Sequence, residues 1–459
     1  MIEGLKPYAE YNGSGISWAP AIPSSWRTER AKRLFTKMQR PVRPQDDVVT
    51  CFRDGMVTLR KNRRLRGFTE ATAFSGYQGI RKGDLVVHGM DAFAGAIGVS
   101  DSDGKGTPVY NVCKPGPGVV ANYYAHTVRE MSRAQWILAL AKGIRERSTD
   151  FRYEMFGNQF VPLPPPDEQA AIVRFLDHAN RKIDGFIRAK RKLIGLLNEQ
   201  KQAIIHRAVT RGLHPDVPLK PSGIPWLGDM PKHWDVLRAK FLFRPIDVRS
   251  KTGEEELLTV SSSDGVVLRS SRTITMFKAE SYVGHKLCWP NDLVVNSLWA
   301  WARGLGFSKY HGIVSTAYGV YRLRPPFQTR WTYFNELLRS SAYDWEFHVR
   351  SRGIWKSRLQ LSDSSFFDLS VVIPPEVEAL KIVHHIVSST SELNMAIART
   401  EREIALMQEY RTRLTADLVT GKLDVREAAA NLPATIDAGN EEEHSNEISE
   451  ESEEEILES

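Results

Sequence analysis

A glycine-rich hexad, FAGAIG, begins at Phe93, and glycine at this density can cradle a phosphate or a dinucleotide. Such a cradle must open a helix. This one follows the strand-like DLVVHGMDA, so close backbone packing explains it better. DGKGT at Asp103 lacks the Gly-x-x-x-x-Gly-Lys-Ser/Thr spacing of a nucleotide loop and reads as a turn. PDEQ at Pro166 lacks the downstream acidic-x-Lys of a nuclease and suits a helix start. His384 and His385 are adjacent, so on a helix they cannot face one metal. Cys51, Cys113 and Cys288 form no Cys-x-x-Cys knuckle. The Asn/Asp-Pro-Pro-aromatic tetrapeptide with which amino-group methyltransferases hold a flipped base does not occur. No catalytic, cofactor or metal residue is expected, and the chain is expected not to be an enzyme.

What remains is recognition. Basic and aromatic residues interleave in RKNRRLRGF from Arg60, GIRERSTDFRYE from Gly143, LWAWARGLGFSKYH from Leu298 and RGIWKSRLQL from Arg352. Arg and Lys neutralise phosphates or reach guanine edges. The candidate DNA contacts are Lys61, Arg63, Arg64, Arg66, Arg145 and Arg147 in the first half of the chain. In the second half they are Arg269, Arg272, Arg303, Lys309, Lys356 and Arg358. For any one of them, a solvated charged surface is the competing reading.

Charge supports a polyanionic partner. Eleven of the 55 acidic residues lie in 437–459, where there is no Lys or Arg, so residues 1–436 carry 62 basic against 44 acidic side chains, or +18. An excess of this kind is the footprint of a nucleic-acid binder, although a membrane surface or an acidic protein would select the same charge. The acidic stretch EEEHSNEISEESEEE, within 433–459, is too charged and too poor in apolar residues to fold. No apolar run approaches the roughly 20 residues of a membrane span. MIEGLKPYAEYN has no basic-then-apolar signal pattern, and the expected location is cytoplasmic.

The elements that must position these residues occur twice. At an offset of 208, residues 14–35 match 222–243 at eleven of 22 positions, among them Trp18/Trp226, Trp26/Trp234 and Arg30/Arg238. The same offset pairs DLVVHGMDAFAGAIGVS at Asp84 with DLVVNSLWAWARGLGFS at Asp292. An offset of 210 pairs KGIRERSTDF at Lys142 with RGIWKSRLQL at Arg352, and VPLPPPDEQAAIV at Val161 with VVIPPEVEALKIV at Val371. The chain is a tandem duplication. Each copy reads as α+β, with short strands such as GDLVV, TPVYNVC, ELLTV and GIVSTAYGVYRL before one amphipathic helix, near Tyr123–Leu140 and Tyr333–Phe347.

Each copy ends in a long helical pattern. Leu176, Ile183, Ile187, Ile194, Leu197 and Ile204, with the polar positions Asn180, Lys190 and Lys201 between them, fall on alternating spacings of four and three, the seam of a coiled coil. Their counterparts 210 residues on, Ile386, Leu393, Ile397, Ile404, Met407 and Leu414, are also apolar. Even the polar breaks coincide, at Asn180/Thr390, Lys190/Thr400 and Lys201/Arg411. Each helix could pack on its own domain, but a shared period with matching breaks favours the two pairing with each other, antiparallel.

Arrangement and wording together resemble the specificity subunit of type I restriction–modification systems. SGIPWLGDMPKHW at Ser222, PLPPPDEQAAIVRFLD at Pro162, IIHRAVTRGL at Ile204 and LTADLVTGKLDVR at Leu414 carry the resemblance, which covers nearly all of the chain to about residue 432. It implies two target-recognition domains, 1–163 and 214–373, and two long helices, 164–213 and 374–432, forming an antiparallel coiled coil with a pseudo-two-fold relation. It further implies that each domain reads half of a split site in double-stranded DNA, at a spacing the helices set. Two adenine methyltransferase subunits would dock on the chain, and motor–nuclease subunits would join them. S-adenosylmethionine, ATP and magnesium would belong to those partners and none to this chain. The acidic tail departs from the family pattern, as does PPEVEALK where the first copy has PPPDEQAA. A stand-alone DNA-binding regulator or adaptor is the other reading of the same architecture.

Overall fold

The computed structural model describes residues 5–63, 76–140, 150–272, 281–353 and 359–433. These fall into two compact units, one built from residues up to 189 together with 403–433, the other from 190–402. The unfolded tail expected over 433–459 lies outside the described residues from 434 onward.

In the first unit DLVV supplies the strand Leu85–His88. It sits inside a four-stranded antiparallel sheet ordered Phe35–Lys37, Tyr110–Pro115, Leu85–His88, Ile97–Val99. The second unit repeats that order with Phe243–Pro245, Tyr318–Leu323, Asp292–Asn296 and Leu305–Phe307. The Asp that opens both DLVV motifs has a physical reason. Asp84 is 3% exposed, accepts a hydrogen bond from the Arg81 amide at 2.8 Å and pairs with Arg40. Asp292 is fully buried; it accepts from the Trp289 amide at 2.9 Å and from Arg322 Nε and Nη2 at 2.6 and 2.8 Å. A buried carboxylate needs such partners.

The amphipathic stretches expected as single helices are each broken in two. Ala121–Arg133 is followed by Trp136–Leu140, and Trp331–Leu338 by Ser341–Arg350. In the first unit the break falls at Gln135, whose φ of 57° is left-handed and cannot continue a right-handed helix.

The long helices run Pro166–Arg211 and Glu376–Val419, 46 and 44 residues. At 1.5 Å per residue each is roughly 65–70 Å long. The second stops well short of the expected 432. Gly421, at φ 75°, turns the chain, and a separate short helix, Arg426–Ala430, follows. The first unit holds the start of the first helix and the end of the second; the second unit holds the converse. Ile172, Leu176 and Ala179 share a core with Leu414, Leu418 and Val419. Ile205, Ala208 and Val209 share another with Ala379, Ile382 and Ile386. Start against end makes the pair antiparallel. Along the seam Leu176, Ile183, Ile187, Ile386 and Leu414 are buried, while Ile194, Leu197, Ile204, Leu393, Ile397, Ile404 and Met407 are half-buried. The polar breaks are accommodated locally. Thr390 and Thr400 donate to the carbonyls of Ile386 and Ala396 at 2.8 Å, and Arg411 pairs with Asp184 of the other helix.

The repeated P-x-x-W segment receives the far ends of these helices. Gly421, just past the end of the second helix, lies on Pro23 and Trp26; Gly212, past the end of the first, lies on Pro231 and Trp234. Tyr123 donates to the Val419 carbonyl at 2.9 Å, and its counterpart Tyr333 donates to the Val209 carbonyl at 3.0 Å. Each copy's globular part thus holds the terminus of the other copy's helix.

Two glycines separate this seat from ordinary helix propensity. A Cβ at Gly421 would overlap Pro23 at a positive φ, so Gly421→Ala is expected to destabilise the chain by about 2–4 kcal/mol. Gly185, inside the first helix, has open space around its Cα, so Gly185→Ala is expected to stabilise by up to about 1 kcal/mol. Urea unfolding of the two variants checks both signs.

Candidate nucleic-acid interface

In the first unit the ends of three strands border an open cleft of about 420 Å³ lined by Lys37, Gln39, Gln78, Met90, Asp150 and Arg152, among others. Backbone pairing fixes its wall. The Gly89 amide donates to the Val109 carbonyl at 2.9 Å, and the Phe151 amide donates to the Gly89 carbonyl at 3.0 Å. The side-chain amide of buried Asn111 donates to the Phe151 carbonyl at 2.9 Å. Gln78 Nε2 donates to the Tyr110 carbonyl at 2.7 Å, which leaves its Oε1 as an acceptor at the wall. On the rim, Arg152 pairs with Asp150 at 2.7 Å, and Lys37 lies 3.5 Å from Glu154.

The second unit repeats the framework and changes the chemistry. Leu361, the counterpart of Phe151, donates its amide to the Ser297 carbonyl at 2.8 Å. Ser297 stands at the Gly89 position and donates its hydroxyl to the Ala317 carbonyl at 2.6 Å. At the Gln78 position Lys286 Nζ donates to the Tyr318 carbonyl at 2.7 Å, so an ammonium replaces an amide on an equivalent tether. The charged rim residues Lys37, Asp150, Arg152 and Glu154 correspond to Pro245, Gln360, Ser362 and Ser364, all uncharged. Two equal scaffolds carry two different polar surfaces.

Several of the basic residues singled out above already have carboxylate partners. Lys61 pairs with Asp47 at 2.7 Å, Arg63 pairs with Asp54 at 2.5 Å and covers the Phe52 ring, and Arg272 pairs with Asp264. These pairs are at least partly exposed, where ion pairs contribute little and exchange readily for phosphate. Arg303 is held more firmly. Its Nε and Nη2 donate to Asp344 at 2.7 and 2.5 Å, and its φ of 60° occupies the place where the first unit has Gly95 at 90°. Arg269 is half-buried and Lys309 exposed. Arg64, Arg66, Arg145, Arg147, Lys356 and Arg358 lie outside the described residues, in segments 64–75, 141–149 and 354–358. Gln78, Lys286 and Arg152 were not among the sequence candidates. Pairing the copies position by position and asking where polar type changes on a fixed framework would have found them.

Nucleophilic thiol chemistry is disfavoured by the surroundings: burial pushes the Cys113 thiol up to about 12 and the Cys288 thiol up to about 11, and raises Cys51 as well. Among the described residues no group of three or more metal-ligating side chains gathers, and no helix is long and apolar enough to cross a membrane. FAGAIG is a packing device. A Cβ on Gly98 would collide with the Gly55 carbonyl, and at the matching Gly306 it would come 2.9 Å from Gly265 Cα.

Among solved structures the chain is similar to one from "Structural basis underlying complex assembly and conformational transition of the type I R-M system". The match covers 87% of this chain and 98% of that one, at 13% identity and a TM-score of 0.57. The HsdS subunit from Thermoanaerobacter tengcongensis is matched over 87% of this chain and 98% of that one at 14% identity, with a TM-score of 0.41. The type I restriction–modification S subunit from M. genitalium is matched over 86% and 96% at 12% identity, with a TM-score of 0.33. No protein-family model and no curated protein matches the chain. The first of these likenesses gives the chain the fold of a protein from a type I R-M system.

The left-handed arginine supplies a check on this geometry. Arg303→Ala loses the ion pair and keeps the backbone strain, whereas Arg303→Gly loses the pair and relieves it. The glycine variant is expected to be the more stable of the two by about 1 kcal/mol, read from the unfolding midpoint of the full chain.

Proposed function

We propose that this chain is the DNA-specificity subunit of a type I restriction–modification complex, in which each unit reads one half of a bipartite site and the paired helices fix the interval between the halves. The observation that carries this reading is the pair of matched scaffolds with unmatched rims. A duplicated domain with identical surfaces would suit an inverted repeat. An amide among Lys37, Asp150, Arg152 and Glu154 in one unit, and an ammonium among Pro245, Gln360, Ser362 and Ser364 in the other, suit two different half-sites. The +18 excess outside the acidic tail supplies the sequence-independent attraction to DNA on which such reading depends.

In this proposal the chain performs no chemistry. Two adenine methyltransferase subunits dock on it, motor–nuclease subunits add cleavage, and S-adenosylmethionine, ATP and magnesium are handled by those partners in the cytoplasm. The sequence signatures of methyl transfer, nucleotide binding and nuclease activity do not occur in the chain, which supports that division of labour.

Labelled methyl transfer tests it directly. The purified chain is expected to transfer no label to DNA, and the same chain mixed with its methyltransferase subunits to direct label to one sequence. Label transferred by the chain alone would contradict the proposal. A second experiment addresses the rims. The double variant Lys37→Ala, Arg152→Ala is expected to lose discrimination, by about tenfold or more, at one half-site and to keep it at the other. Binding to duplexes with one half-site scrambled at a time measures this, and a uniform loss on every duplex would make both residues phosphate anchors.

A further inference from the structure

The second unit carries an aromatic surface that the matching described positions of the first do not repeat. Trp299 and Trp301 stack with ring centroids 5.5 Å apart at 26°. Trp301 meets the edge of His348 at 6.1 Å and 78°, and His348 stacks on Trp345 at 6.4 Å and 27°. Aromatic contacts of this geometry fall within the favourable range. Trp345 is 62% exposed, and Leu298, before Trp299 in sequence, and Val349, after His348, are 40% and 57% exposed. A tryptophan this open contributes little to the fold. The corresponding residues of the first unit are Gln135 for Trp345, Leu138 for His348, Asp91 for Trp299 and Phe93 for Trp301. The duplication therefore does not require the rings.

The rings are held in place from beneath. Two rings come from the turn after the strand Asp292–Asn296, and two from the helix Ser341–Arg350. The Arg303–Asp344 pair ties that turn to that helix, and Trp301 Nε1 donates to the Leu298 carbonyl at 3.0 Å. Asp344 and Glu346 are the carboxylates closest in sequence to Trp345. Both are already engaged, Asp344 by Arg303 and Glu346 by Arg350 at 2.6 Å and Trp226 Nε1 at 2.9 Å. Local negative charge is thus neutralised. Leu298 is the counterpart of Met90, a lining residue of the first unit's cleft, and the exposed Arg352 follows the helix that bears Trp345.

We propose that Trp299, Trp301, His348 and Trp345 form a stacking platform for an unpaired nucleobase of bound DNA, present on one unit only. Aromatic faces take bases from a strand that is not fully paired, because every base has a π-face, and the exposed Arg352 would supply a cation for a neighbouring phosphate. A paired base hides that face inside the duplex stack. The inference rests on the DNA-binding reading above and adds to it a local preference for DNA with a base out of the helix.

The full-length chain should be titrated with two short duplexes of the same sequence, one fully paired and one with a single extrahelical adenine, following anisotropy of the DNA and quenching of tryptophan fluorescence. The extrahelical duplex is expected to bind about tenfold more tightly, since one stacked base contributes on the order of 1–3 kcal/mol. Trp345→Ala should remove most of that difference without changing affinity for the paired duplex, and Trp345→Phe should restore it. Because Trp345 is exposed, loss of folding is not expected; His348→Ala provides a second variant with the same expected outcome. Equal affinity for the two duplexes, or an equal loss on both in Trp345→Ala, would overturn the platform and leave the DNA reading intact. Binding to neither duplex would overturn both. A Trp345→Ala chain that keeps its preference for the extrahelical duplex but no longer assembles with another protein would make the surface a protein-docking face and overturn the proposal.

Discussion

Each long helix ends on the other copy's globular part, and the remainder of the architecture follows from that exchange. The Gly421 turn packs on the Pro23–Trp26 segment and the Gly212 turn on Pro231–Trp234, while Tyr123 and Tyr333 bond the carbonyls of Val419 and Val209. A helix terminus leaves carbonyls without intrahelical partners, and here a buried tyrosine hydroxyl satisfies one of them at each seat. Neither core is complete from one copy. Leu176 needs Leu414 and Leu418, and Val209 needs Ala379 and Ile382, so the two halves of the chain are bound to fold together. The duplicated P-x-x-W wording exists because each copy must receive the same helix end.

On that frame function is written in what differs. Sheet order, the buried Asp84/Asp292 clamps and the tethers at Gln78/Lys286 coincide in both units. The rim does not: charged at Lys37, Asp150 and Arg152, uncharged at Pro245, Gln360 and Ser362. An asymmetric target is the simplest demand that would leave scaffolds alike and rims unlike. The same reasoning separates Arg303 from the other basic residues. Its guanidinium is tied to Asp344 and its backbone sits where the first unit uses glycine, so its part is to position the turn that bears the tryptophans.

Periodicity and self-comparison made the architecture legible. The seam from Leu176 to Ile204 and its echo from Ile386 to Leu414 stated two long helices and their pairing, because burial along a helix imposes a spacing that composition cannot hide. Boundaries were less legible. The second helix stops at Val419 because of one glycine in a left-handed turn, and the Tyr123–Leu140 stretch breaks at Gln135, a residue with no propensity to announce it. The site was harder still. Lys61, Arg63, Arg272 and Arg303 stood out by charge, yet each has an acidic partner eight or more residues away that no helix or strand spacing reveals. Gln78 and Lys286 carry no motif of their own; only their pairing across the two copies marks them in the sequence, and only the structure shows their shared tether to a tyrosine carbonyl.

The central claim is that two unlike readers on one duplicated frame recognise one split sequence. It is tested most directly by expressing the chain with the adenine methyltransferase subunits proposed for it and mapping every methylated adenine by single-molecule sequencing of the host DNA. The expected result is a single motif with two different specified blocks separated by an unspecified spacer of constant length. One continuous motif, two identical inverted blocks, or a spacer that varies from site to site would contradict the account.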